Sequence, residues 1–148
     1  MVKIKVIIFF TLFFFIASFD EVTGNDSITV IVNVEGFRSS EGICRLLLFK
    51  YEKGFPDEPS DAELMLSGKI QNGKTKFTFS VIPGKYAISI LHDQNSNQKM
   101  DKTWYGKPKE GFGVSKNPEI GFGPPEFEEA TLILNEKNNS VLIKLNYL

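Results

Sequence analysis

The sequence predicts an all-β protein: a single antiparallel seven-stranded Greek-key β-sandwich with one long ordered loop at about residues 93–127. Apolar residues recur at every second position in most of seven short segments, which is the period of a strand with one buried face. These segments are rich in β-branched and aromatic residues, which favour strands over helices. Turn-forming pairs separate several of them, namely Asn72-Gly73, Pro83-Gly84 and Asn138-Asn139. Short strands divided by such turns are typical of a sandwich.

The first element is not a strand of this sandwich. Two lysines precede an apolar run, Val6–Ala17, of 12 residues that only one threonine interrupts. This is the pattern of a secretory signal peptide, and it is shorter than the ~20 residues of a membrane-spanning helix. The sequence predicts a signal peptide at residues 1–24, cleaved after Gly24, although cleavage after Ser18 also fits. The domain then covers residues 25–148, secreted or periplasmic and not an integral membrane protein.

Each predicted strand rests on its own pattern. The first, ITVIVNV, alternates apolar and polar residues from Ile28 to Val34, whereas the second, ICRLLLF, is apolar on both faces except at Arg45 and indicates a central strand. The third, LMLSGKI, is the weakest. The stretch FPDEPSDAEL before it fits one helical turn, capped by Asp57 or Ser60. The seven predicted strands are residues 28–34, 43–49, 64–70, 75–81, 85–92, 130–135 and 140–147.

Cys44 is the only cysteine of the chain, so no disulfide can form within it. A mature chain of about 124 residues (148 minus 24) is large enough to fold without such a cross-link. Cys44 lies among apolar residues in ICRLLLF, and a free cysteine in that setting behaves as a small buried hydrophobe. We therefore expect a buried thiol.

The charge of the mature chain argues against a nucleic-acid partner. Removing residues 1–24 leaves 15 basic and 16 acidic residues, a net charge of −1, with Arg38 and Arg45 as the only arginines. A protein that binds nucleic acid usually carries a basic patch or stripe. Neither is visible in this sequence.

The segment from Asp93 to Phe127 has no strand or helix period. Loops longer than ~12–15 residues are uncommon in compact domains and are usually functional or disordered. This one carries several aromatic residues, among them Trp104 and Tyr105, which disordered segments lack. We therefore expect the loop to be ordered and packed over one end or edge of the sandwich.

The start of this loop resembles a calcium-binding loop of the EF-hand type. Oxygen donors occur at alternate positions, as that loop requires at its positions 1, 3, 5, 7 and 9. Two positions depart from the pattern, since Gln98 stands at the usual glycine and Trp104 at the usual bidentate glutamate. The alternative is that these side chains only curl the backbone through Asx turns, without an ion. The candidate ligands are Asp93, Asn95, Asn97, the Lys99 carbonyl and Asp101.

Two further functional hypotheses come from the same loop. In the first, it binds an envelope glycan or a peptide through Trp104, Tyr105, Glu110 and Phe112; the alternative is that the aromatic residues only anchor the loop. In the second, the protein is a hydrolase that uses His92, Asp93 and Glu110. His92 is the only histidine, so zinc sites and histidine dyads are disfavoured. A buried histidine bonded to the loop backbone is the favoured interpretation, and with it a non-enzymatic protein.

Three stretches of the chain resemble a known family. PGKYAISILHDQNSNQKMD, YGKPKEGFGVSKN and GFGPPEFEEATLIL are similar to the bacterial exported family called domain of unknown function 2141, over about residues 27–148. The resemblance implies a secreted or periplasmic β-sandwich, similar to transthyretin-like and carboxypeptidase-regulatory-type domains, and no established activity. The family usually has glycine where this chain has Gln98. The resulting hypothesis is an exported non-enzymatic sandwich, with the loop as functional surface and calcium as the only candidate cofactor.

Overall fold

The computed structural model describes residues 27–121 and 123–148, so the predicted signal peptide lies outside the described residues. Two β-sheets enclose one hydrophobic core, which confirms the all-β prediction. The strands are β1 (Ile28–Glu35), β2 (Ile43–Phe49), β3 (Leu64–Gly68), β4 (Lys74–Val81), β5 (Gly84–Asp93), β6 (Gly111–Val114), β7 (Leu132–Leu134) and β8 (Ser140–Lys144).

The first sheet has the strand order β4-β1-β8. β1 pairs antiparallel with β4, where Val32 lies opposite Phe77, and parallel with β8, where Val32 lies opposite Val141. The alternation seen in the sequence is the alternation of burial along β1, since Val30, Val32 and their neighbours at every second position are buried.

The second sheet has the order β3-β2-β5-β6, and β7 also pairs with β5. β5 is the longest strand and is central. On one side it pairs with β2; on the other, its first residues pair with β7 and its last residues with β6. The end of β5 therefore lies between β2 and β6, and the predicted loop starts there.

Two details of the predicted architecture are wrong. Eight strands occur among residues 27–121 and 123–148 instead of seven, because β6 lies inside the segment predicted as loop. Its sequence, GFGV, has only two apolar side chains, too few to show a period. The sheets are also not purely antiparallel, since β8 runs parallel to β1. Alternation reports which face of a strand is buried and carries no information on the direction of its neighbour.

The two glycines of β6 are needed for packing. A Cβ atom at Gly111 would overlap the Tyr147 ring, and one at Gly113 would lie 2.6 Å from the Lys144 carbonyl oxygen. Phe112 also exchanges backbone hydrogen bonds with Asn146. The GFG sequence therefore brings β6 against the C-terminal segment of the other sheet.

The short helical elements differ in part from expectation. The turn predicted in residues 55–64 is a 3-10 helix, Pro59–Asp61, but its cap is Glu58 rather than Asp57 or Ser60. The Glu58 Oε1 atom accepts the Ser60 N–H at 3.2 Å. A four-residue α-helix, α1 (Phe127–Ala130), was not predicted. Within the part of the chain that is described, no helix has the length and apolar character to cross a membrane.

Cys44 confirms the expectation of a buried thiol. It lies in the core on β2 with no exposed surface, and burial raises the pKa of the Cys44 thiol to about 12. The neighbouring Thr75 hydrogen bond opposes this rise only in part. Because the thiolate is the reactive form, Cys44 packs as a hydrophobic residue and is not a nucleophile.

Candidate functional site

The candidate site begins where β5 ends. Asp93, its last residue, has no exposed surface, and it lies on the face of the sheet that also carries Arg45 of β2. The Arg45 Nε atom donates to Asp93 Oδ2 at 2.6 Å. A buried carboxylate needs such a partner, because an unpaired charge away from water is very costly.

Asp93 also organises the backbone that follows it. Its Oδ1 atom accepts the N–H of Asn97 at 3.0 Å, and its Oδ2 atom accepts the N–H of Gln98 at 2.9 Å. Residues 94–101, here called the clamped loop, therefore turn back over the carboxylate. These contacts are the Asx-type closure that the sequence left open as the alternative to calcium.

Glu110 closes the clamped loop from the other side. It precedes β6 and is 4% exposed. Its Oε1 atom accepts the N–H of Gln94 at 2.9 Å, and its Oε2 atom accepts the N–H of Asp101 at 3.0 Å. One carboxylate therefore joins the first and last residues of the clamped loop and ties both to β6.

The other candidate calcium ligands face one another inside the clamped loop. The Nδ2 atoms of Asn95 and Asn97 donate to the Asp101 carboxylate at 2.7 and 3.1 Å. Calcium would require the two amide oxygens there, but the Asn97 and Lys99 N–H groups occupy those oxygens. In this arrangement the residues are closed by hydrogen bonds and do not form a calcium shell.

The described residues also contain no cluster of side chains that are typical metal ligands. Among residues 27–121 and 123–148, no three His, Cys, Asp or Glu side chains are grouped so as to hold a metal ion. Arg45 adds a fixed positive charge beside Asp93. A cation bound at Asp93 would therefore have to share its carboxylate with the Arg45 guanidinium. Calcium binding at Asp93 to Asp101 stays a prediction that requires both asparagine amides to turn.

The backbone of the clamped loop is left-handed at two residues that are not glycine. Gln98 has φ of 70° and Ser96 has φ of 59°, in the left-handed region that glycine adopts without cost. Gln98 stands at the position where a calcium-binding loop of the EF-hand type has glycine. Gln98 therefore holds a conformation that glycine would adopt at lower cost.

His92 is buried and fully hydrogen-bonded. Its Nε2 atom lies 2.9 Å from the Glu41 carbonyl oxygen, to which it donates, and its Nδ1 atom lies 2.7 Å from the Tyr147 hydroxyl. The rings of Phe37 and Tyr147 cover it edge-on, and burial raises the pKa of Tyr147. His92 has no exposed surface and holds the C-terminal segment against the sheet.

Beyond the clamped loop the chain forms a narrow projection, residues 102–108, here called the aromatic tip. Thr103 and Lys107 close it through two hydrogen bonds, from the Thr103 N–H to the Lys107 carbonyl and from the Lys107 N–H to Thr103 Oγ1. Gly106, with φ of 87°, makes the turn, and a Cβ atom there would meet nothing within 4 Å. The turn of the tip at Gly106 therefore faces open space.

The aromatic tip presents two rings to solvent. Trp104 is 95% exposed and Tyr105 is 61% exposed. Their centroids are 5.2 Å apart and their planes are at 84°. The structure thus brings these two ligand-binding candidates together, but it buries Glu110 in the clamped loop and places Phe112 in β6.

Two residues of the site were not predicted. Arg45 could have been found, because it is the only charge in an otherwise apolar strand and such a charge needs a buried partner. Tyr147 gave no signal, since it reads as one more apolar residue of the last strand. Its bond to His92 joins residues 55 positions apart.

The fold and the site define a two-sheet β-sandwich in which two buried carboxylates order a loop and project an aromatic tip. Residues 32–142 match the family described as "Uncharacterized protein conserved in bacteria (DUF2141)". The chain belongs to this family, as its sequence motifs indicated. Comparison with curated proteins and with solved structures gave no match.

Proposed function

We propose that the chain is an exported, non-enzymatic binding module of the bacterial cell envelope, with the aromatic tip as its contact surface. The observation that carries the proposal is the exposure of Trp104, 95%, beside Tyr105, 61%. Burying an exposed tryptophan side chain against a partner would stabilise the complex by about 25 cal/mol for each Å² of apolar surface removed from water. Aromatic residues exposed together are typical of interaction sites.

The clamped loop supports this role because it makes the tip rigid. Its backbone is held by Asp93 and Glu110, each of which accepts two N–H groups. A further bond runs from the Lys109 N–H to the Asp101 carbonyl at the base of the tip. A surface that is ordered before binding loses less conformational entropy when a partner arrives. The clamped loop therefore fixes the position of the tip relative to the sandwich.

The non-enzymatic part of the proposal rests on the hydrogen bonds of the three hydrolase candidates. Both His92 ring nitrogens have protein partners, and the Asp93 and Glu110 oxygens all accept N–H groups. A general base needs to reach a substrate proton. These three side chains instead support the C-terminal segment and the clamped loop.

Export, the Greek-key arrangement and a kinship with transthyretin-like domains belong to the same proposal. So does stabilisation of the clamped loop by calcium, at the ligands named from the sequence. In its favour, the side chains of Asn95 and Asn97 already converge on Asp101. An envelope glycan or a peptide is the partner that the sequence suggests for the tip.

Fractionation of the producing bacterium tests the proposal without knowledge of the partner. We expect the natural chain to sediment with the envelope and the double variant Trp104→Ala, Tyr105→Ala to be released into the soluble fraction. The matched control is Tyr51→Ala, because Tyr51 is 70% exposed and belongs to the turn after β2 rather than to the tip or the clamped loop. Both rings of the tip are exposed, so the thermal melts of all three chains should coincide. Equal distribution of all three chains would contradict the proposal.

A further inference from the structure

The surroundings of the aromatic tip indicate which partner it fits. Residues 99–109 contain four lysines and one aspartate, a net charge of +3 in a chain whose total is −1. These lysines are Lys99, Lys102, Lys107 and Lys109, and all four are exposed. The two solvent-exposed aromatic rings are therefore flanked along the chain by four exposed lysine side chains.

Most of this charge is available to an external anion. Lys102 pairs with Asp57 at 3.2 Å, on a surface where both side chains are about half exposed. The ion pairs found in residues 27–121 and 123–148 do not include Lys99, Lys107 or Lys109. Exposed ammonium groups without an internal partner are free to meet phosphate groups.

We infer that the aromatic tip docks on an anionic phospholipid surface, with Trp104 and Tyr105 in the interfacial layer and the lysines on the headgroup phosphates. This inference rests on the proposed binding function and names its partner. Tryptophan and tyrosine prefer the membrane–water interface, where the ring lies among apolar atoms and its polar edge stays hydrated. Lysine side chains near an anionic leaflet add electrostatic attraction.

The shape of the tip favours a lipid surface over a glycan. Stacking on a sugar needs a flat, accessible aromatic face, whereas the Trp104 and Tyr105 planes lie at 84° and share no common face. Sugar recognition also needs polar side chains that are free to bond hydroxyl groups. The side chains of Asn95, Asn97 and Asp101 in the clamped loop bond to one another or to the backbone, and the Asp57 carboxylate pairs with Lys102 of the tip.

The same shape disfavours a peptide. A peptide usually occupies a groove or extends a sheet edge, and the tip is a projection with open space beyond Gly106. One groove in the described part of the chain is lined by residues of β6, residues 117–121 and 123–126, Glu129 and Asn146, and the tip residues are not part of its wall. A bilayer interface is fluid and accepts a convex projection without a complementary pocket.

Vesicle binding by the mature chain, purified after export from its bacterial host, tests the inference. Two vesicle types are compared: phosphatidylcholine alone, and phosphatidylcholine with about one-third phosphatidylglycerol, which supplies the anionic surface. We expect co-sedimentation with the second type only, and its loss at high salt. Trp104 is the only tryptophan, so its emission should shift to the blue and resist iodide quenching when these vesicles are present.

Matched variants separate the contribution of the lysine charges from that of the aromatic rings. We expect Lys107→Gln with Lys109→Gln to lower the partition coefficient roughly 25-fold, about fivefold for each lysine, whereas Lys85→Gln with Lys137→Gln leaves it unchanged. Trp104→Ala with Tyr105→Ala should lower it by at least about tenfold, from the apolar area withdrawn from water. Tyr51→Ala is the control for that pair. An equal effect of controls and tip variants would overturn the inference.

The two proposals fail in different ways. If tip variants are released from the envelope but the natural chain ignores anionic vesicles, the lipid partner is wrong and the binding module stands. A glycan or a peptide of the envelope is then the partner. If the tip variants change neither envelope retention nor vesicle binding, both proposals are wrong. Equal binding to neutral and anionic vesicles would overturn the role of the lysines.

Discussion

Asp93 is the residue on which the clamped loop depends most. It is buried, paired with Arg45, and bonded to two backbone N–H groups. The pair is not exposed enough for water to replace either partner, since the Arg45 side chain is 13% exposed and that of Asp93 is fully buried. The ion pair stabilises the domain mainly because Arg45 supplies a partner to a carboxylate that the fold buries.

Arg45→Met should therefore destabilise the domain by about 3 kcal/mol, the lower part of the range for breaking a buried pair, because two N–H groups still contact Asp93. The free energy of unfolding in urea measures this loss. Lys53→Met is the matched control, since Lys53 forms an exposed pair with Asp61 at 2.7 Å and such pairs contribute little. Equal urea midpoints for natural chain and Arg45→Met would show that the ion pair is dispensable.

Gln98→Gly should stabilise the domain. Gln98 has φ of 70°, and a side chain in the left-handed region costs about 1–2 kcal/mol. Glycine removes this strain but gains freedom in the unfolded chain, which leaves a net gain of roughly 0.5–1 kcal/mol. The urea midpoint should rise at an unchanged slope. Gln94→Gly, at a position without positive φ, should lower the midpoint, and a lower midpoint for both variants would refute the strain argument.

At the scale of elements, the clamped loop and β6 form one unit. Glu110 joins Gln94 and Asp101 and stands at the first residue before β6. β6 in turn pairs with the end of β5 and bonds to Asn146. The aromatic tip leaves from and returns to this unit, so its position is set by strands of both sheets.

Glu110→Gln should open the clamped loop without unfolding the sandwich. The amide oxygen of glutamine can accept one N–H, but its NH₂ group would face the other donor and leave it unsatisfied, at about 1–3 kcal/mol. Hydrogen exchange should become faster at residues 94–101 and stay unchanged in β1 and β4. Glu119→Gln, at an exposed position, is the control. Unchanged exchange at Gln94 and Asp101 in the Glu110 variant would show that the carboxylate does not close the loop.

At the scale of the whole molecule, two sheets share one core and the loop unit caps one end of it. Val30 and Val32 of the first sheet pack in the same cluster as Leu46 and Ile88 of the second. The global melting temperature therefore reports any ligand that binds the folded chain and not the unfolded one.

The calcium hypothesis predicts a change in this global stability. At 100-fold above its dissociation constant, calcium should add ~2.7 kcal/mol, which raises the melting temperature by about 10 °C for a domain of this size. Melts in excess calcium and in chelator measure the difference, and Asp101→Asn should remove it. Superimposable melts of the natural chain in the two conditions would show that calcium does not stabilise the clamped loop, which is then closed by the hydrogen bonds of Asp93, Glu110 and the two asparagines.

Local patterns in the sequence were enough to locate most of the framework. The alternation from Ile28 to Val34 gave β1 within one residue, and Asn72-Gly73, both with positive φ, marked the turn before β4. The buried Cys44 and the position of the long loop followed from the same kind of reasoning. These features depend on neighbours along the chain, which the sequence displays directly.

Only the tertiary structure decided which distant residues meet. The parallel pairing of β8 with β1, the Arg45–Asp93 ion pair and the bond from Tyr147 to His92 each join segments tens of residues apart. The sequence identified Asp93 and Glu110 as carboxylates of interest, but their partners lie on other strands or in the backbone. A side-chain pattern records burial and local conformation, whereas pairing is set by the packing of the two sheets around one core.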